Sequence, residues 1–303
     1  MKSKLENLVS KLSDSDNDIN DIQIYQNNEL VNEYLWKPRV PRPIYSITKT
    51  ITSLAVGIAV DEGLLSLSES LSAIFPEVSE KYNKSLRNIT IHHLLSMNLG
   101  FQTSHLMMGA RENLPFDDWA DYIFNQKTTS EPGEAFLYSN AGHYLAGLAI
   151  ENRSQESLLS YLYPRLFDPL NIEVRYWEKD PLGHTFGSGG LVMSSADLYK
   201  IGSLYMNNGT WKANNVVSKK FINQSLKPVI ATESQHIYST HYGYGLWLNR
   251  EKGYYRADGA FGQLILNVPE KNVTIVISSK NADNYKIIDL IEKELLLSSP
   301  LRH

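Results

Sequence analysis

The chain contains no cysteine, which excludes disulfide staples, thiolate nucleophiles and cysteine-ligated metal centres. No apolar run approaches the ~20 residues that a membrane-spanning helix needs. The polar stretch Met1 to Asp16 has none of the features of a signal peptide, so a cytoplasmic protein with no membrane partner is expected. No basic run points to nucleic acid, and the formal net charge is only −4. Internal repeats and low-complexity tracts are missing, as are the G-x-S-x-G, H-E-x-x-H and G-x-x-x-x-G-K motifs. His92 and His93 are adjacent but lack a third ligand at metal spacing, so packing or surface roles are expected of them.

What remains is an ordinary globular composition, 42% hydrophobic and 20% charged, at a length that supports a large core. Leu5, Leu8 and Leu12 fall at helical spacing. Ile22–Tyr25 and Leu30–Leu35 read as a hairpin around an Asn-rich turn, and Pro38, Pro41 and Pro43 keep the next stretch extended. Leu64 to Glu80 is turn-rich. Helices are expected around Ile89–Met97, Phe116–Ile123, Ala141–Glu151, Leu158–Leu170, Ser195–Ile201 and Tyr285–Leu297. Strands are expected over Tyr244–Leu248, over Tyr254–Leu266 with glycine interruptions, and over Val273–Ser278. This order predicts an α+β fold: an antiparallel sheet flanked by terminal helices, with a mostly helical subdomain inserted. One catalytic domain is expected, with the sheet region at about 1–62 and 240–303 and the helical region at about 63–239.

The stretch Ile44-Tyr45-Ser46-Ile47-Thr48-Lys49 carries the chemistry. If Ser46 opens the apolar helix that follows, its hydroxyl and the Lys49 amine lie one turn apart. Serine is a weak nucleophile until a base takes its proton, and lysine is such a base only where burial lowers its pKa. A serine ahead of a helix is more often a cap. A capping box, however, wants Glu or Gln three residues on, and a cation in the first turn opposes the helix dipole. Tyr138-Ser139-Asn140 follows about ninety residues later, behind Pro132-Gly133, with Asn140 placed to cap the next helix. Y-x-N is weak alone, since Tyr25-Gln26-Asn27 and Tyr205-Met206-Asn207 also match. Gly187-Ser188-Gly189-Gly190 lacks phosphate-loop spacing and reads as close backbone packing. For each of Trp36, Trp119, Trp177, Trp211 and Trp247, packing is the commoner role.

Taken in order, these pieces resemble the serine β-lactamase and penicillin-binding-protein superfamily, in the branch related to class C β-lactamases that also holds esterases, amidases and peptidases. The resemblance runs from about Tyr25 to Leu297. It rests on Tyr45–Lys49, His93-Leu94-Leu95-Ser96-Met97, Pro132 to Asn140, Gly189-Gly190-Leu191 with Ser195–Leu198, and Gly259 to Gln263. It implies an acyl-enzyme on Ser46, with Lys49 and Tyr138 sharing the proton traffic. Tyr138 would activate the deacylating water as a tyrosinate beside an ammonium. Asn140 would bond Lys49 or the substrate amide, and the oxyanion would sit between the N–H groups of Ser46 and Ala260, next to Gly259. No cofactor or metal is implied. The partner is a small ester, amide or peptide substrate.

One departure bears on specificity. Many relatives have a Lys or His where this chain has Ala257, followed by Asp258 and Gly259, so the usual anchor for a substrate carboxylate is missing. Arg256 should point to the opposite face from Ala257. Asp258 would repel a carboxylate and favour an amine. Hydrolysis of small esters or amides is therefore expected ahead of β-lactamase, D-Ala-D-Ala carboxypeptidase or D-aminopeptidase activity. A catalytically weak sensor that binds β-lactams or peptides is the other alternative.

Overall fold

The computed structural model describes residues 2–13, 17–82, 84–232 and 240–296. Helix α1 (Lys2–Ser13) precedes the hairpin of β1 (Asp18–Gln26) and β2 (Glu29–Leu35), then β3 (Arg42–Pro43) and α2 (Ile47–Asp61). Asn27 and Asn28 both take positive φ at the hairpin turn, a conformation asparagine accepts more readily than most residues. Short helices α3 (Leu71–Ile74), α4 (Glu77–Lys81), α5 (Ile91–Ser96) and α6 (Trp119–Phe124) lead to α7 (Ala141–Ser154) and α8 (Leu158–Leu162). Strand β4 (Val192–Met193) pairs with β3, and α9 (Ser195–Met206) follows. A ribbon of β5 (Thr210–Trp211) and β6 (Asn214–Asn215) precedes α10 (Lys219–Ser225). Strands β7 (Ile230–Ala231), β8 (His241–Tyr242), β9 (Trp247–Asn249), β10 (Tyr254–Gly259), β11 (Gln263–Val268) and β12 (Val273–Asn281) come next, then α11 (Asn284–Ile291).

The main sheet has the order β2-β1-β12-β11-β10-β9-β8-β7, with antiparallel pairings that join strands from the two ends of the sequence. Its two faces follow the period of two along each strand. Leu264, Leu266, Ile275 and Ile277 pack with Leu8 and Leu12 of α1 and Ile287, Ile288 and Ile291 of α11. The alternate residues Ala257, Ile265 and Val276 join a larger cluster with α2, α7 and α9. Burial of each large apolar side chain contributes roughly 1.5–3 kcal/mol, so both layers are held mainly by these stripes. The fold is the expected α+β arrangement, with helices between the two groups of strands.

Several local expectations shift. Leu64–Glu80 contains α3 and α4, helices of four and five residues that are too short to show a periodic pattern. The expected helix Leu158–Leu170 is α8 followed by a wider turn at Tyr163–Phe167, where Pro164 has no N–H to donate. The strand expected from Tyr244 begins only at Trp247, because Gly245 turns the chain with φ +69. Tyr285–Leu297 is α11 plus a turn at Glu292–Leu296, and Leu297 lies outside the described residues. No helix among the described residues is long and apolar enough to cross a membrane.

Candidate active site

Helix α2 is buried from Ile47 to Ala59, as befits a helix apolar on nearly every side. Its entrance sets the geometry. Tyr45 has φ +49, rare for an aromatic residue, and turns the chain sharply into Ser46. Ser46 sits at the N-cap position with helical dihedrals, and its side chain caps nothing. The hydroxyl instead accepts a hydrogen bond from Lys49 Nζ at 2.9 Å, while the same amine donates to the Ser188 carbonyl at 2.8 Å. Lys49 is almost completely buried. Desolvation, helped by the nearby Arg111 charge and opposed by Asp258, pulls its pKa from 10.5 to about 7.

Tyr138 reaches the pair from a loop pinned on both sides. Ser104 Oγ donates to the Tyr138 carbonyl at 2.6 Å, and Ser139 Oγ accepts from the His105 N–H at 3.0 Å. Lys49 Nζ lies 5.1 Å from the centre of the Tyr138 ring, and the phenol shares a hydrogen bond with Ser46. Trp247 stacks on the same ring at 5.6 Å and 10°. Burial pushes the phenol well above its ordinary pKa, partly offset by the Ser46 hydrogen bond and reinforced by Asp258. These directions oppose a tyrosinate beside an ammonium: the surroundings favour a neutral amine and a neutral phenol.

Ser46, Lys49 and Tyr138 are thus brought together. Asn140 lines the cleft beside Ser46 but makes no hydrogen bond to Lys49: its Nδ2 donates to the Leu106 carbonyl at 2.7 Å, and its buried Oδ1 has no hydrogen-bond partner among the described residues. Nor does its side chain cap α7, where Ser139 Oγ accepts from the Ala141 N–H at 3.2 Å. Ala260 borders the cleft, and the backbone N–H of Ser46 has no hydrogen-bond partner among the described residues. Gly259 permits this approach, since a Cβ there would stand 2.3 Å from the Ile44 carbonyl oxygen.

Ala257 is placed elsewhere: it packs into the core and does not line the cleft. Arg256 does take the opposite face, as alternation requires, but Asp258 shares that face. Arg256 Nε donates to Asp258 Oδ2 at 3.2 Å, and the guanidinium lies 5.7 Å from the Trp247 ring. The repulsion expected of Asp258 is therefore countered by a buried cation, although Lys49 and Tyr138 both still feel its charge.

Other contributors were not legible as site residues. Ser188 belongs to the glycine loop, whose close packing is real: a Cβ on Gly187 would stand 2.5 Å from the His143 carbonyl oxygen. Asn284 of α11 ties the turn after β10, donating to the Gly259 carbonyl at 3.1 Å and accepting from the Gly262 N–H at 2.9 Å. His92 and His93 have structural partners, with His92 Nδ1 2.6 Å from the Tyr244 hydroxyl and His93 completing a capping box with Thr90. The cleft at Ser46 is open to solvent and has a volume of about 140 Å³. Larger depressions, of about 570 Å³ beside Asp197 and about 550 Å³ beside Trp211, contain no comparable nucleophile and base.

This fold, with a serine and a buried lysine one turn apart under a tyrosine, defines a β-lactamase/transpeptidase-like protein. A family model described as Beta-lactamase matches residues 22–287, and the chain belongs to that family. Protein flp of Staphylococcus aureus (strain MW2) is 25% identical over 284 residues, covering 86% of this chain and 57% of its own length. The chain therefore spans little more than half the length of the Protein flp relatives it matches. Lovastatin esterase of Penicillium rubens is 29% identical over 148 residues, 42% of this chain and 37% of its own. Among solved structures, EstCE1, a hydrolase with promiscuous acyltransferase activity, superposes with a TM-score of 0.81. It is 14% identical and covers 97% of this chain and 98% of its own, a likeness of fold.

Proposed function

We propose that the chain is a cofactor-independent serine hydrolase that cleaves small esters or amides through an acyl-enzyme on Ser46, within one catalytic domain. The observation that carries this is the 2.9 Å contact between Ser46 Oγ and a buried lysine whose pKa is held at about 7. At neutral pH a substantial fraction of that amine is free to accept a proton. Ser46 Oγ attacks the substrate carbonyl as Lys49 takes the hydroxyl proton. The oxyanion forms at the N–H groups of Ser46 and Ala260. The tetrahedral intermediate collapses, the bond to the alcohol or amine breaks, and the departing atom receives a proton from Lys49 relayed through the Tyr138 hydroxyl. Water then attacks the acyl-serine, giving a proton to the same pair, which passes it to Ser46 Oγ as the acyl–oxygen bond breaks and the acid leaves. Lys49 is the base in both halves, and Tyr138 passes protons without resting as an anion.

Membership of the family and the esterase named among the relatives support hydrolysis without fixing the substrate. The lack of a cation at Ala257 weighs against efficient turnover of β-lactams or D-Ala-D-Ala termini. The test is turnover of a nitrophenyl ester by the wild type and by Ser46→Ala, with intact-mass detection of the adduct. Loss of turnover and of the adduct in the variant is the expected result; equal activity in both proteins would refute the proposal. A stable adduct without turnover would instead identify a sensor, and rapid hydrolysis of a penicillin would identify a β-lactamase.

A further inference from the structure

Among the described residues that line the cleft, Arg111 alone has a charged side chain; its neighbours there include Met107, Met108 and Phe186. The guanidinium lies 4.8 Å over the Phe186 ring. Its Nε and Nη2 donate to the two carboxylate oxygens of Glu178 at 2.9 and 3.0 Å, while Nη1 has no hydrogen-bond partner among the described residues. A bidentate carboxylate fixes the plane of a guanidinium; Glu112 Oε1 also lies 3.4 Å from Nη2, so Nη1 is the nitrogen left to meet a ligand. Glu178 is held by the glycine loop. A Cβ on Gly190 would stand 2.1 Å from Glu178 Cβ, and Gly190 has φ +74. The loop thus supports two features of the site, the carbonyl that holds Lys49 and the carboxylate that holds Arg111.

Cleft volume and proton traffic limit what Arg111 can meet. The cleft is small, about 140 Å³, which suits a short acyl chain. The leaving group must depart toward its proton donor, yet neither Tyr138 nor Lys49 lines this cleft. The cleft therefore receives the acyl side of the substrate. A short carbon chain suits Met107, Met108 and Phe186, and a cation at the border suits an anionic end.

We propose that Arg111 is a specificity-determining residue that takes the terminal carboxylate of a short acyl chain, so that preferred substrates are esters or amides of small dicarboxylic acids, of succinyl or glutaryl size. This role rests on the Ser46 acyl-enzyme proposed above. A simple tie between loops would also explain the Arg111–Glu178 pair, and substrate preference separates the two.

The experiment compares kcat/KM for the nitrophenyl monoesters of glutaric and pentanoic acid, which have equal carbon chains and differ in the terminal carboxylate. Wild type favours the glutaryl ester. Arg111→Met lowers the glutaryl-to-pentanoyl ratio about 10- to 100-fold, the range for a lost charge-assisted hydrogen bond. Arg111→Lys, which keeps the charge without the fork, falls between them. Both esters are read on the same preparation, so a smaller folded fraction cancels from the ratio. A ratio unmoved in both variants, with Ser46-dependent turnover of the pentanoyl ester intact, overturns the role of Arg111 alone. No turnover of either ester and no adduct on Ser46 overturns the hydrolase proposal together with it.

Discussion

Replacing Lys49 with methionine separates what the amine does for catalysis from what it costs the fold. Lysine titrates near 10.5 in the unfolded chain and at about 7 in the folded one. Three and a half pH units at ~1.36 kcal/mol each amount to about 5 kcal/mol of penalty for keeping this ammonium in the folded protein. The unfolded chain binds the extra proton between about pH 7 and 10.5, so the slope of unfolding free energy with pH is positive there. The penalty is in full force below pH 7 and recedes as the pH rises. Methionine has no charge to desolvate and nearly the same length, but it gives up the bonds to Ser46 Oγ and the Ser188 carbonyl. At about 1 kcal/mol each, those losses leave Lys49→Met more stable than wild type by roughly 3 kcal/mol at pH 6. The advantage shrinks by about 3 kcal/mol by pH 9, as the wild-type amine loses its proton. Urea unfolding of both proteins at pH 6, 7.5 and 9 measures this directly, and ester turnover should fall by at least ~10² in the variant. A variant less stable than wild type at pH 6, or a gap independent of pH, would refute the electrostatic account of the site.

The wild-type kcat/KM for a neutral ester should rise with pH through about 7 and then level as Lys49 becomes a free base, whereas a rate falling across that range would exclude it as the acylation base. Tyr138→Phe keeps the stack on Trp247 and loses the relay, so turnover should drop roughly 10²- to 10⁴-fold with a melting temperature close to wild type. In Gly259→Ala the new methyl meets the Ile44 carbonyl at 2.3 Å. Strand β10 must then move off the Ser46 turn, with lower activity and a loss of about 1–3 kcal/mol in denaturant unfolding. Asn284→Ala releases the turn at Gly259–Gly262, and a fall in kcat with KM little changed would mark Asn284 as positioning the oxyanion donors.

Much of this molecule was legible in one dimension because some signals are local. The apolar run of β12, the apolar surface of α2 and the Asn-rich hairpin turn are set by local composition and steric preference, and each forms close to where its pattern predicts. The strand expected over Tyr254–Leu266 is instead divided into β10 and β11 by the turn at Ala260–Gly262. Ser46 and Lys49 are three residues apart, so one helical turn is enough to join them. Short helices such as α3 and α4 lacked the length to show a period, and the strand limit at Gly245 depends on one glycine dihedral.

By itself, then, the amino-acid order determined the α+β class and the serine–lysine pair, because both rest on spacings of a few residues. Only the tertiary structure decided how strongly Lys49 is desolvated, that Tyr138 stays a phenol under Trp247, that Asp258 is answered by Arg256, and that Arg111 borders the cleft. Each depends on segments tens to hundreds of residues apart meeting at a few ångströms. Both desolvation and Coulomb interactions are set by what lies nearby in space, which no local pattern records.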